Sequence, residues 1–274
     1  MSEKQVECMV EGAIATVTLK NPPLNVFTIN MTVELEAILD RLESDPSIRA
    51  VIVTGGEKVF CAGSDISEFE DFMAPGQVVE RKLGRQNEVF NRLDRFPKPT
   101  IAAINGLAFG GGVEISMCCD LVVAGEGSKL ALPEMKLGVF PSSGGPYRTT
   151  RRIGAGRTKQ MIFLAEPVDA LTALSWGLID RMAPGGKALE VARDLATTLS
   201  ERPPLAFSLC KELINNSFNL TIGDLIQQSL KASDRAFSSP ECREGVRAFF
   251  AKEKPSFAEA APQAGLEKTL ELGR

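Results

Sequence analysis

An α/β core over residues 1–202, followed by a helical region over 203–274, is the fold class that this sequence predicts. Three observations carry it. Short β-branched runs alternate with one helical-period stripe in the first half, each run halts at a turn former, and the second half repeats apolar residues only at helical spacing. The first strand is Ala13 to Leu19, where Ala13, Ala15, Val17 and Leu19 share one face. Leu35, Ile38, Leu39 and Leu42 then form a helix stripe, closed by Asp45-Pro46 because the residue before proline disfavours helix. Ala50 to Thr54 stops at Gly55-Gly56, Thr100 to Ile104 at Asn105-Gly106, and Leu121 to Ala124 at Gly125, which makes three buried strands. From about Pro141 onward no strand pattern recurs. Ala188, Val191, Ala192, Leu195, Ala196 and Leu199 form one helix stripe, and Ile222, Leu225, Ile226 and Leu230 another. The join between core and helical region is placed near Arg202-Pro203-Pro204, and the tail after Pro255 is expected to be partly mobile.

Composition narrows the chemistry. At 274 residues, with 44% hydrophobic and 24% charged residues, the chain can bury a full core and is neither disordered nor fibrous. A net charge of -4 gives no bulk attraction to nucleic acid or anionic membrane, and no run approaches the ~18 apolar residues that span a bilayer. Cys8, Cys61, Cys118, Cys119, Cys210 and Cys242 contain no CxxC pair and read as reduced, mostly buried thiols. With no signal-like N-terminus, the expected compartment is the cytoplasm. The count of zero histidines removes Ser-His-Asp and Cys-His nucleophiles and HExxH zinc sites together. No metal is expected, and proton transfer falls most naturally to a carboxylate.

Three segments offer chemistry. In Phe60-Cys61-Ala62-Gly63-Ser64-Asp65-Ile66, Gly63 frees the backbone to aim an amide such as Ser64 N–H into a cleft, or simply makes a turn. In the second, Gly110-Gly111-Gly112 stands at a strand-to-helix junction, where Gly111 N–H is a natural second donor to a developing oxyanion. Neither GxGxxG nor GxxxxGK[ST] spacing is present, so a phosphate loop is disfavoured. Glu114 follows within an apolar run, where an unpaired carboxylate is costly to bury, although an acid there can also cap the helix or face solvent. In the third segment Glu134 precedes the turn-rich Met135 to Gly145, and is either a partner carboxylate across a cleft or a solvated loop acid.

Together FCAGSDI, NGLAFGGGVEISMCCDL and PEMKLGVFPSSGG resemble the crotonase, or enoyl-CoA hydratase/isomerase, superfamily in order and spacing. The resemblance extends to Asn21-Pro22-Pro23-Leu24-Asn25-Val26 near the start, to Ala173 to Ile179, and to Glu244 to Lys252. It implies a spiral core of ββα units in two roughly perpendicular sheets, with C-terminal helices that mediate trimerisation, often as a dimer of trimers. It also implies an acyl-coenzyme A thioester as substrate and no separate cofactor. The thioester oxygen would sit between the amides of Ser64 and Gly111. Glu114 would deprotonate water for attack at C3, and Glu134 would hold that water and deliver a proton at C2. Leu24, Val26, Ala62, Asp65, Ile66, Gly110, Pro133 and Phe140 would line the substrate, with Phe249 and Lys252 contributed from the C-terminal segment, Lys252 to a coenzyme A phosphate of this or a neighbouring subunit or, as a lone lysine, simply to solvent.

Departures from the family pattern are Ser64 in place of the commoner alanine, tolerable because its backbone is used, and Pro146-Tyr147-Arg148 in place of Thr-Gln-Arg. Tyr147 and Phe140 either line the acyl pocket or pack in the core, the commoner fate of aromatic residues. An isomerase or decarboxylase using the same oxyanion hole is the alternative enzyme. A non-enzymatic alternative rests on the basic stretch Arg148, Arg151, Arg152, Arg157 and Lys159, which could contact RNA but more simply forms a helix surface or subunit contact.

Overall fold

A computed structural model of the chain describes residues 4–260. Strands β1 (Val6–Glu11) and β2 (Ile14–Leu19) form an antiparallel hairpin about Gly12, whose φ of 59° suits glycine. Helix α1 (Ile29–Ser44) follows, capped by the Thr28 hydroxyl, which accepts from Met31 N–H, and it buries Met31, Thr32, Leu35, Leu39 and Leu42. It ends at Asp45, as the Asp-Pro pair predicts.

Thereafter the chain winds in turns that give one strand to each of two sheets. Strand β3 (Ala50–Thr54) joins the first sheet and β4 (Val59–Cys61) the second. A 3-10 turn (Ile66–Phe72), a π-helical turn (Val79–Leu83) and helix α2 (Gly84–Asp94) lead back to β5 (Thr100–Ile104) in the first sheet and β6 (Leu107–Phe109) in the second. Helix α3 (Gly111–Ser116), then β7 (Leu121–Gly125) and β8 (Lys129–Ala131), repeat the turn. The first sheet runs β1-β2-β3-β5-β7 and ends on β10 (Arg181–Ala183), and is parallel from β2 onward. In the second sheet β4, β6 and β8 are parallel neighbours and β9 (Val168–Asp169) pairs antiparallel with β8.

Helix α4 (Gly145–Leu164) is broken at Gly154. Strand β9 (Val168–Asp169), helix α5 (Ala170–Trp176), strand β10 (Arg181–Ala183) and helix α6 (Ala188–Ser200) come next. Strands β9 and β10 correct the expectation that none follows Pro141. At two and three residues they are too short to show an alternating pattern, and are held by backbone pairing to β8 and β7. Helix α6 lays Ala188, Ala192 and Ala196 on the first sheet against Ala50, Ile52, Ile101, Ala103 and Val123, as its stripe predicts.

Helices α7 (Pro204–Asn216), α8 (Ile222–Ser238), α9 (Pro240–Ala251) and the short α10 (Phe257–Ala260) complete the described chain. The predicted stripe on α8 forms, yet Ile222, Ile226 and Leu230 face outward. All six cysteines are free: Cys61, Cys118 and Cys119 are buried, Cys8 and Cys242 half-buried, and Cys210 is exposed, which departs from the buried reading. In the tail expected to be mobile, Ser256 N–H donates to Glu244 Oε1, Phe257–Ala260 is helical, and residues 261–274 lie outside the described residues. No helix among the described residues is long and apolar enough to cross a membrane.

Candidate active site

The carboxyl ends of β4, β6 and β8 lie side by side in one parallel sheet, and each opens into one of the three chemical segments. Strand order thus converts three distant sequence positions into neighbours, at the sheet end where α/β folds place their ligands.

After β4 the chain turns through Gly63, whose φ of 108° strains any side-chain-bearing residue. Phe27 brackets the next residue: its N–H donates to Gly63 O at 2.7 Å and its carbonyl accepts from Asp65 N–H at 3.1 Å. Leu24 O accepts from Ala62 N–H at 3.0 Å, and the buried Asn25 side chain donates to Val59 O at 2.9 Å. Leu24, Val26, Ala62, Asp65 and Ile66 are therefore brought together beside Ser64. Asp65 itself caps the following 3-10 turn through Ser67 N–H.

After β6, Gly110 takes φ 50° and ψ -119°, outside the range of ordinary residues, and aims the chain into α3. A Cβ added to Gly111 would lie 3.8 Å from Ser64 N, which sets the two predicted donor amides beside each other. Neither amide donates to a protein acceptor among the described residues. Gly112 backs directly onto β4, where an added Cβ would meet Cys61 O at 2.2 Å.

Helix α3 buries Glu114, which is only 3% exposed. Its Oε1 accepts from Ser143 N–H at 2.7 Å and Gly145 N–H at 2.9 Å. Burial raises its pKa to about 7, while those two donors and the Arg148 guanidinium pull the other way. The solvent-facing and capping readings of this residue are thereby set aside.

After β8, Pro133 precedes the 3-10 turn Glu134–Leu137, and Glu134 points back at the glycine segment. A Cβ on Gly110 would lie 2.7 Å from Glu134 Oε1 and 3.5 Å from Gly63 Cα. Glu134 Oε2 is buried without a partner. Burial, and next the charge of Glu114, raise its pKa to about 7 as well. It is not a solvated loop acid. Two carboxylates poised near neutrality beside two available amides can give and take protons next to a stabilised oxyanion. Burial pushes the Cys61 thiol up to about 12, which removes it as a competing nucleophile.

Phe140 and Tyr147 are 58% and 49% exposed, so the core-packing reading of these aromatics is corrected. Phe249 and Lys252 lie exposed at the end of α9, and no contact described here joins them to the site. The basic stretch is largely spent internally: Arg148 donates to Ser143 O, Arg152 pairs with Asp180, Arg157 donates to Trp176 O, and Arg151 reaches Asn219. Sequence reasoning assigned no role to Ser143 and Gly145, the amides that hold Glu114. Their signal was the Ser-Ser-Gly-Gly turn itself, whose Gly144 adopts φ 113°.

A sequence model described as enoyl-CoA hydratase/isomerase matches residues 9–260. Among curated proteins, a short-chain-enoyl-CoA hydratase of Clostridium acetobutylicum is 36% identical over 247 residues, covering 89% of this chain and 94% of that protein. A mitochondrial enoyl-CoA hydratase of Pongo abelii is 31% identical over 247 residues, covering 90% of this chain and 84% of the other. Among solved structures, the enoyl-CoA hydratase from Bacillus anthracis superposes with a TM-score of 0.88 at 31% identity, covering 93% of this chain and 99% of its own. Pseudomonas aeruginosa DspI gives the same TM-score at 32% identity, covering 93% and 97%.

Proposed function

This chain belongs to the enoyl-CoA hydratase/isomerase family, and on that premise we propose that it adds water across the 2,3 double bond of an enoyl-CoA thioester, or catalyses the reverse dehydration. The observation that carries the reading is the pairing of Glu114 and Glu134, both raised to about 7, beside the unengaged amides of Ser64 and Gly111. The thioester oxygen accepts from those two amides, which stabilise the enolate formed as C3 is attacked; one such donor contributes about 3 kcal/mol in comparable sites. Glu114, ionised, takes a proton from the attacking water. Glu134, protonated, gives its proton to C2, and proton exchange with solvent restores the pair. Two acids titrating near neutrality supply one base and one acid at the same pH, and their titrations belong to the pair. The reaction forms a C3–O and a C2–H bond from the elements of water with no change of overall oxidation state, and calls for no cofactor or metal.

Leu24, Val26, Ala62, Asp65 and Ile66 form the edge along which coenzyme A runs, and Gly110, Pro133 and Phe140 border the acyl end. Phe249 and Lys252 lie exposed at the end of α9, which agrees with a role at a neighbouring subunit. A trimer, or a dimer of trimers, is supported by the outward apolar residues Ile226, Leu230, Phe237, Phe249 and Phe250. The proposed division at 202/203 falls just before α7, and the free thiols support the cytoplasmic location. A turnover panel of short, long, branched and aromatic enoyl-CoA thioesters in deuterated water tests the function. The expected products are 3-hydroxyacyl-CoA carrying deuterium at C2. Double-bond migration without water uptake, or no turnover of any thioester, would reject hydration.

A further inference from the structure

Helix α2 touches the candidate site only indirectly, yet it carries a fully buried polar side chain that packing does not explain. Gln86 is buried completely; its Nε2 donates to Ser143 Oγ at 2.9 Å, and its Oε1 is buried with no partner. An orphaned carbonyl oxygen in a core lowers stability, and such costs collect at functional positions. The other end of the contact is Ser143, itself buried, whose N–H donates to Glu114 Oε1 at 2.7 Å. Two further bonds fix the same loop. Asn87 Nδ2 donates to Ser142 O at 3.0 Å, and Arg148 Nη1 donates to Ser143 O at 3.0 Å. One turn earlier, the buried Lys82 donates to Phe27 O at 3.1 Å and pairs with Glu68. Phe27 is the residue that brackets Ser64. Lys82 and Gln86 stand four residues apart, on one face of continuous helical backbone, and so one face reaches both the donor loop and the loop that holds Glu114.

We propose that Gln86 is a positioning residue for Glu114, acting through the Ser143 hydroxyl to hold the Ser143 amide on the carboxylate. The inference rests on the reading of Glu114 as the group that takes the proton from water. Without Gln86 the 142–145 loop keeps only the Asn87 bond to α2, the Ser143 amide draws away, and Glu114 ionises less readily. The other ionisable groups facing Glu114 are Glu134 from the turn after β8, Arg148 from α4 with Asp94 at 3.8 Å behind it, Cys61 from β4 and Cys118 from α3 itself. Gln86 hydrogen-bonds Ser143 and none of these groups, so the change acts on Glu114 through Ser143.

The test is the pH profile of kcat/KM for crotonyl-CoA in Gln86→Met, Ser143→Ala and the double variant, with Glu114→Gln alongside. Methionine keeps the volume of Gln86 while removing both its donor and its orphaned acceptor, so Tm should stay level or rise. The acid limb should move to higher pH by roughly half a unit or more, with kcat down about tenfold and KM little changed. Ser143→Ala should shift the limb equally, and the double variant no further, because both remove the same contact. An unmoved limb, a loss uniform across pH, or additive shifts in the double variant would overturn the inference while an inactive Glu114→Gln leaves the hydratase reading intact. A fully active Glu114→Gln would instead overturn that reading, and the inference with it.

Discussion

Glu114 shows what a single residue costs and does. A carboxylate buried to this degree is kept by two backbone donors and one distant guanidinium, and they do not fully offset desolvation, so its pKa stands at about 7 rather than 4.5. The folded state therefore binds the proton more tightly than the unfolded chain. The resulting stability penalty is absent below about pH 4.5, grows through the interval to about 7, and is complete above it. Glu114→Gln removes the charge and keeps an acceptor for Ser143 and Gly145. It should be more stable than the parent at pH 8 by up to about 3 kcal/mol, with little difference at pH 4, measured by urea denaturation. A gain equal at both pH values would mean that ionisation is not the source. Glutamate is thus retained at this position against stability, which is the pattern of a working group.

At the scale of elements, the site is made by strand ends and the glycines that let them meet. Gly112→Ala would drive a methyl into Cys61 O on the adjacent strand, and should cost about 3 kcal/mol or more in thermal or urea unfolding. Gly110→Ala would collide with Glu134 Oε1, and should remove turnover before it removes the fold. A Cβ added at Gly156 in α4 would meet nothing within 4 Å outside its own helix turn, and Gly156→Ala should be neutral or stabilising by up to about 1 kcal/mol. These elements also mark what the sequence discloses. Strands β3, β5 and β7 are continuous apolar runs stopped by turn formers, and were legible because burial on both faces leaves that trace. Strands β4, β6 and β8, three residues each, carry no period of their own, so the sheet that aligns the site was invisible without the pairing it depends on. Glu114 and Glu134 were legible as acids in unusual company; Ser143 left only the trace of its Ser-Ser-Gly-Gly turn, and Gln86, a lone amide on a helix, left none.

For the whole molecule, α8 and α9 carry outward apolar residues that a single chain leaves uncovered. If subunits cover them, Ile226→Glu combined with Leu230→Glu should convert the assembly to monomers in sedimentation experiments, with helicity unchanged; an unaltered mass would place the interface elsewhere. Such monomers should also bind substrate more weakly if Phe249 and Lys252 serve a neighbouring site. The most direct test of the central claim, that Glu114 and Glu134 act as one acid/base pair beside the Ser64 and Gly111 amides, is crotonyl-CoA hydration by Glu114→Gln and Glu134→Gln at neutral pH. Each should lose about 10²- to 10⁴-fold in kcat with KM little changed. Hydration at the parent rate in either variant would contradict the account.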